Sequence, residues 1–249
     1  MGLWLAALSG LIAGGALLVG FVVAWFADIP KGVVAAIMAL GAGVLISTLA
    51  FELVEEAAQD GGLIPTVFGF LGGAILYIVA DWLVSRPAKP VSAANIVARR
   101  SAAKLGGGGL AIAIGALIDG IPESIVMGLS VVQDAGISIP IVAAVAISNI
   151  PEGLGSTAEL KRSGTSLGRV ALLWSSIAVI TVVASVVGFA AFQSASPDLI
   201  AVITTIAAGG LLAMVCNTMI PEAFVEQHVL TGLWATIGFL LAFVLHEIA

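Results

Sequence analysis

Three stretches of this chain set proline beside glutamate: IDGIPES at 118–124, SNIPEGL at 148–154 and MIPEA at 219–223. Asp119 and Glu123 are four residues apart, so on a helix they stack on one face. Ser148 and Glu152 repeat that spacing, and Asn149 lies three residues before Glu152 on nearly the same face. Carboxylates, an amide and a hydroxyl all offer oxygen. Facing one another from two helices, Asp119, Glu123, Asn149, Glu152 and Ser148 make the kind of donor set that holds a cation. The prolines add to it, because Pro122 has no N–H for the carbonyl of Ile118, nor Pro151 for that of Ile147. Helix breaks are expected at Pro122 and Pro151, with Gly120 and Gly153 removing bulk so that helices or an ion approach closely.

The surroundings of these residues are what make them informative. The 249-residue chain is 60% hydrophobic and 10% charged, with a mean hydropathy of +1.19. Soluble domains are roughly 45–50% apolar and about 25% charged. An ionised acid at the centre of a membrane span costs about 2.5–3.5 kcal/mol, so Asp119, Glu123 and Glu152 together cost on the order of 10 kcal/mol. No Lys or Arg lies in the central part of any span to offset it. Protonation, access to water, or a bound cation remain.

Apolar runs of roughly 20 residues cross a bilayer core. The chain divides into eight such runs, at about 3–27, 33–58, 63–84, 107–130, 139–160, 168–192, 198–224 and 231–249. This predicts an all-α polytopic membrane protein whose eight transmembrane helices form a single domain, 1–249. The opening MGLWLAALSG lacks a basic n-region and is read as the first span rather than a removable signal peptide. All nine Lys and Arg fall in three loops: Lys31 in one, Arg86 to Lys104 in the next, and Lys161, Arg162 and Arg169 in the last. The opposite loops carry Asp60, Asp134 and Asp198 and no base. The positive-inside rule then puts the basic loops in the cytoplasm and both termini outside. The long one, about 85–106, reads as a cytoplasmic linker, with a membrane-surface helix over 93–104 as the alternative.

A weak internal repeat points to a transporter. GAGVLISTLAFELVEEA at 41–57 aligns with AAGGLLAMVCNTMIPEA at 207–223, pairing Gly43 with Gly209 and Glu56 with Glu222 among five identities. Spans two and seven run in opposite directions, as do spans four and five. Inverted repeats meeting at central broken helices are how many carriers build their sites. Glu52, Glu55 and Glu56 crowd one end of span two, and Glu222 and Glu226 one end of span seven, where Glu52, Glu56 and Glu222 could form acidic mouths that concentrate cations. His228 and His246 read as surface histidines. The lone Cys216 excludes an internal disulfide and a cysteine-cluster metal site. Nothing resembles a basic nucleic-acid-binding patch. Neither a His-Glu-x-x-His nor a Gly-x-Ser-x-Gly motif marks an intramembrane enzyme.

These motifs resemble those of the ZIP (Zrt/Irt-like protein) family of divalent metal transporters. Asp119 to Ser124 looks like a diverged copy of that family's span-four H-N-x-P-E-G pattern. Ser148 to Gly153 is similar to its span-five pattern, and 206–223 and 40–57 also resemble the family. The likeness covers nearly the whole chain. It implies a 3+2+3 helical bundle with metal ligands on spans four and five, moving zinc, iron, manganese or a similar ion toward the cytoplasm. Asp119 then stands where the family usually has histidine, Glu123 and Glu152 keep its carboxylates, and Asn149 keeps a polar ligand position. Gly120 and Ser148 replace family ligands, and span six lacks an acid. That leaves one oxygen-donor site, which suits harder ions such as manganese or magnesium, although carboxylates also bind zinc and iron. The expected setting is the cell membrane. The metal is cargo rather than a resident cofactor, and a homodimer is compatible with the family. The rival readings are a proton-linked carrier of another solute and a transport-dead sensor or scaffold of the same fold.

Overall fold

The structure of the chain is a computed structural model and describes residues 2–84, 108–133 and 136–248. Those residues form helices α1 (Gly2–Phe26), α2 (Lys31–Gly61), α3 (Leu63–Val84), α4 (Gly108–Gln133), α5 (Ile139–Arg162), α6 (Leu167–Phe192), α7 (Pro197–Gln227) and α8 (Leu230–Ile248). Among the described residues there are no strands, and seven of these helices are long and apolar enough to cross a membrane. The protein is all-α and polytopic. The linker expected at about 85–106, and with it the alternative surface helix over 93–104, lies outside the described residues.

Local chemistry sets several helix ends. Ser138 precedes α5 and accepts from the Ile141 N–H at 3.5 Å, Pro140 sits in the first turn, and Lys161 and Arg162 occupy the last, where the helix dipole favours cations. Ser196 does the same for α7 through Leu199, at 3.4 Å, with Pro197 behind it. Among the described residues, two helices are not α throughout. Wide π-helical turns run from Leu49 to Glu55 in α2 and from Val215 to Met219 in α7.

Packing divides the helices into two groups, and glycine decides the contacts in both. In lipid, apolar side chains gain little by leaving one neighbour for another, so helices associate where small residues let backbones meet. A Cβ on Gly43 of α2 would land on the Ala235 carbonyl of α8, and one on Gly238 of α8 on the Leu40 carbonyl of α2. The α7–α3 pair repeats this, Gly209 against Phe70 and Gly73 against Ile206. In the other group, Gly20 and Gly153 bring α1 to α5, and Gly128 and Gly188 bring α4 to α6. These seams, with α1 also against α6, follow a twofold exchange of α1 with α6, α2 with α7, α3 with α8 and α4 with α5. They pair Gly43 with Gly209, the pairing that the alignment of 41–57 with 207–223 makes.

The same seams correct the apparent repetition of the Pro-Glu motifs. They equate Ile125 of α4 with Ile150 of α5 and Gly128 with Gly153. The counterpart of Glu123 is therefore Ser148, and that of Glu152 is Met127. The two Ile-Pro-Glu motifs lie one helical turn out of register and are not symmetry mates. Side chains of α2, α4, α5 and α7 fill the central core, Leu45, Leu49, Met127, Val145, Leu211 and Val215 among them. In the most apolar stretch of α5, 61% of residues are buried inside the bundle, against 17% in α8. The central helices can thus carry polar groups, while the outer ones present apolar side chains to lipid.

Candidate functional site

The sequence-predicted residues lie on α4 and α5, and several of them are buried. Glu123 is 3% exposed, Ser124 0%, Ser148 4% and Asn149 3%. Glu152, one turn beyond Ser148, is half-buried. Asp119 lies on α4 one turn before Glu123, and its side chain lies outside the described residues. Helices α4 and α5 pack on each other, and α1 packs against both. Among the described residues no three His, Cys, Asp or Glu side chains gather as a metal-holding group. A metal held by Glu123 and Glu152 would therefore need the neutral oxygens beside them, or Asp119, to complete its shell.

Those neutral groups each donate a hydrogen to a backbone carbonyl. The Asn149 amide nitrogen donates one N–H to the carbonyl of Ala13 on α1 at 3.0 Å, which assigns the amide orientation and leaves the second N–H and the carbonyl oxygen to interact. The Ser148 hydroxyl donates to the Val145 carbonyl at 2.9 Å, and that of Ser124 to the Gly120 carbonyl at 2.6 Å. Hydroxyls bound this way spend their single donor on the helix and keep lone pairs to offer. The described Lys and Arg residues lie at helix ends: Lys31 at the start of α2, Lys161 and Arg162 at the end of α5, and Arg169 at the start of α6. No base reaches the middle of the bundle from among them.

Neither proline breaks its helix: Pro122 and Pro151 both sit inside continuous α-helix. One absent N–H removes one rung of the ladder, and the flanking hydrogen bonds carry the helix on. The glycines differ. Gly153 makes a seam with α1, whereas a Cβ on Gly120 meets nothing within 4 Å among the described residues. The carbonyl of Ile147, which Pro151 cannot donate to, faces α2, where a Cβ on Gly41 would stand 3.5 Å from it and 3.3 Å from Ser148 Cα. Gly41 was not among the expected site residues. Its signal, a glycine just before the seam residue Gly43 in a run of small residues, reads in sequence only as packing.

The acidic residues outside the centre hold specific partners. Glu52 lies in the α2 π turn, 2.6 Å from Nδ1 of His246 on α8. His246 is half-buried and stacked on Phe51 at 5.7 Å, so it is an interhelical contact rather than the surface histidine expected. Glu56 accepts from Gln133 of α4 at 3.3 Å. On α7, Thr218 and Tyr77 of α3 share a hydroxyl contact of 3.2 Å, and Glu222 is half-buried on the turn that follows. At the opposite end from Glu52, Lys31 pairs with Glu226 at 3.6 Å, and Lys161 meets Asp28 at 3.5 Å and the Trp25 carbonyl at 2.9 Å. His228 is exposed, as expected, and closes α7 with φ of 47°.

A family model for the ZIP zinc transporter matches residues 86–246. The chain belongs to that family. The match spans more than half of the sequence and takes in both buried motifs. A comparison with curated proteins finds no match. As a ZIP zinc transporter family member the protein is a multi-pass membrane transporter of divalent metal ions, its metal is substrate, and its family is one of transporters rather than enzymes.

The Asn149 tether has a measurable weight in this ZIP protein. Asn149→Ala is expected to cost about 1–3 kcal/mol, the range for leaving a buried polar group without its partner. Asn149→Asp should cost more, since a carboxylate would confront the Ala13 carbonyl. Thermal unfolding of the purified protein in detergent reads both, and equal stability of Asn149→Asp and wild type would contradict the tether.

Proposed function

We propose that Glu123 and Glu152, with Asn149, Ser148 and Asp119 completing the shell, form the transport site. Through it zinc, manganese or iron passes from outside toward the cytoplasm. The observation that carries this reading is the burial of Glu123, Ser148 and Asn149 on neighbouring helices, the last two each donating one hydrogen to a backbone carbonyl and keeping a side-chain oxygen to offer. Acids set into a low-dielectric interior call for protons or positive charge, and such oxygens suit a cation. Oxygen ligands alone favour harder ions, so manganese is the ion to try beside zinc and iron.

Direction and location follow from charge. Lys31, Lys161 and their acidic partners share one end of the bundle, and that end is the cytoplasmic face by the positive-inside rule. Both termini then lie outside the cell membrane. Glu52, Glu56 and Glu222 line the two mouths, and a homodimer is the oligomer to look for.

Uptake of labelled manganese, zinc and iron into proteoliposomes tests the proposal, with Asp119→Ala as the control. The expected result is saturable uptake of at least one ion by the wild type and a strong loss in the variant. Thermal stabilisation by a divalent ion is expected in parallel. No stabilisation by any divalent ion, together with proton-coupled flux of another solute, would replace the metal reading by the proton-linked one.

A further inference from the structure

We propose that the two π-helical turns are the register-adjusting joints of this transporter, and that the Glu52–His246 contact is the latch holding the outer one. The proposal rests on the transport reading above for its consequence, while the joint itself is a property of the helices. A π turn accommodates one more residue than an α turn, its geometry is unfavourable, and it recurs at functional positions. One could be incidental; these two are related by the fold. The first begins at Leu49, six residues after seam glycine Gly43, and the second at Val215, six after Gly209. Both seams belong to the same group of helices and are exchanged by the same twofold.

Each joint is also fastened at the matching residue. Glu52 and Thr218 both lie nine residues beyond their seam glycines, and both make a polar contact with the helix across that seam. His246 reaches Glu52 from α8, and Tyr77 reaches Thr218 from α3. The outer fastening is the stronger, an imidazole against a carboxylate at 2.6 Å rather than a hydroxyl pair at 3.2 Å. Phe51 seats it, with its ring 5.3 Å from Phe243, 6.1 Å from Phe239 and 5.7 Å from His246.

The placement gives the joints something to do. Gly41, upstream of the first, meets the Ile147 carbonyl and Ser148, and Met219, the last residue of the second, comes within 3.5 Å of the same spot. Moving a π turn along its helix by one residue rotates what lies between its old and new positions by about 100°, the angle of one residue in an α-helix. The helix stays whole. What Leu49 and Leu53 present to the central core can therefore change without breaking the bundle, and Glu52, inside the turn, cannot rotate while His246 holds it.

Hydrogen exchange on the purified full-length protein tests the latch without using transport. His246→Ala and Glu52→Ala should each speed exchange of the amides in 49–61 by about tenfold, as losing one charge-assisted hydrogen bond predicts. The double variant should exchange no faster than either single, and amides of α5 should be unchanged. His246→Gln, which keeps a donor for Glu52, should restore wild-type exchange. Metal uptake should fall in the two alanine variants and return in the glutamine one. Unchanged exchange over 49–61 in both alanine variants overturns the proposal. So does equal acceleration in every helix, which would make the contact ordinary packing. If wild-type protein moves no metal yet shows the local exchange change, the joint stands and the transport reading falls.

Discussion

Glu152→Gln and Glu123→Gln are each expected to lower divalent-metal uptake by on the order of 100-fold, while the purified proteins stay folded. Glutamine keeps the length of the side chain and one carbonyl oxygen and removes the charge. A charge-assisted contact in a desolvated site is worth about 2–4 kcal/mol, and each 1.4 kcal/mol is tenfold in affinity. The resting protein should not suffer in the same way. Glu123 is 3% exposed, and an ionised carboxylate at that depth is costly where a neutral amide is much less so. Two readouts should therefore move apart: the melting temperature without metal holds or rises, and the shift on adding metal disappears. A variant that kept both wild-type uptake and the metal-induced shift would remove that glutamate from the site.

Substitution at the seam glycines should separate packing from composition just as sharply. Gly43→Ala and Gly209→Ala place a methyl on a backbone carbonyl of the neighbouring helix, and a backbone cannot step aside as a side chain can. Overpacking of this kind costs about 1–3 kcal/mol, and the leucine variants should not yield folded protein. Gly15→Ala and Gly72→Ala are the matched controls, since a Cβ at either meets nothing within 4 Å among the described residues. They should be neutral or gain up to about 1 kcal/mol, because alanine is the better helix former. Unfolding in detergent gives the comparison. If seam and control variants lose stability equally, the four seams do not hold the bundle.

The symmetric placement of the seams also explains which parts of the site could be read beforehand. Asp119, Glu123, Asn149 and Glu152 stand out because each is a polar residue in an apolar run, a property of the residue and its immediate neighbours. The pairing of 41–57 with 207–223 was legible because the seam glycines of α2 and α7 share a surrounding pattern of small residues. His246 was misplaced for the opposite reason. Its partner Glu52 is 194 residues away, and no feature near either residue announces the other. Pro122 and Pro151 misled in a third way: their local chemistry forbids one hydrogen bond, and the rest of the helix decides whether that amounts to a break.

By itself the sequence determined that the chain lives in a membrane as helices, which end of the bundle carries the bases, and which polar residues are out of place in the interior. Each of these is a sum over adjacent residues, because the bilayer acts on every segment separately. Tertiary structure alone decided that Glu123 corresponds to Ser148 rather than to Glu152. It also decided that Gly153 closes against a helix while Gly120 does not, and where α2 and α7 widen into π turns. Those outcomes depend on which backbones come within touching distance, and in lipid that is settled by close contact between distant segments, with hydropathy nearly indifferent to the choice.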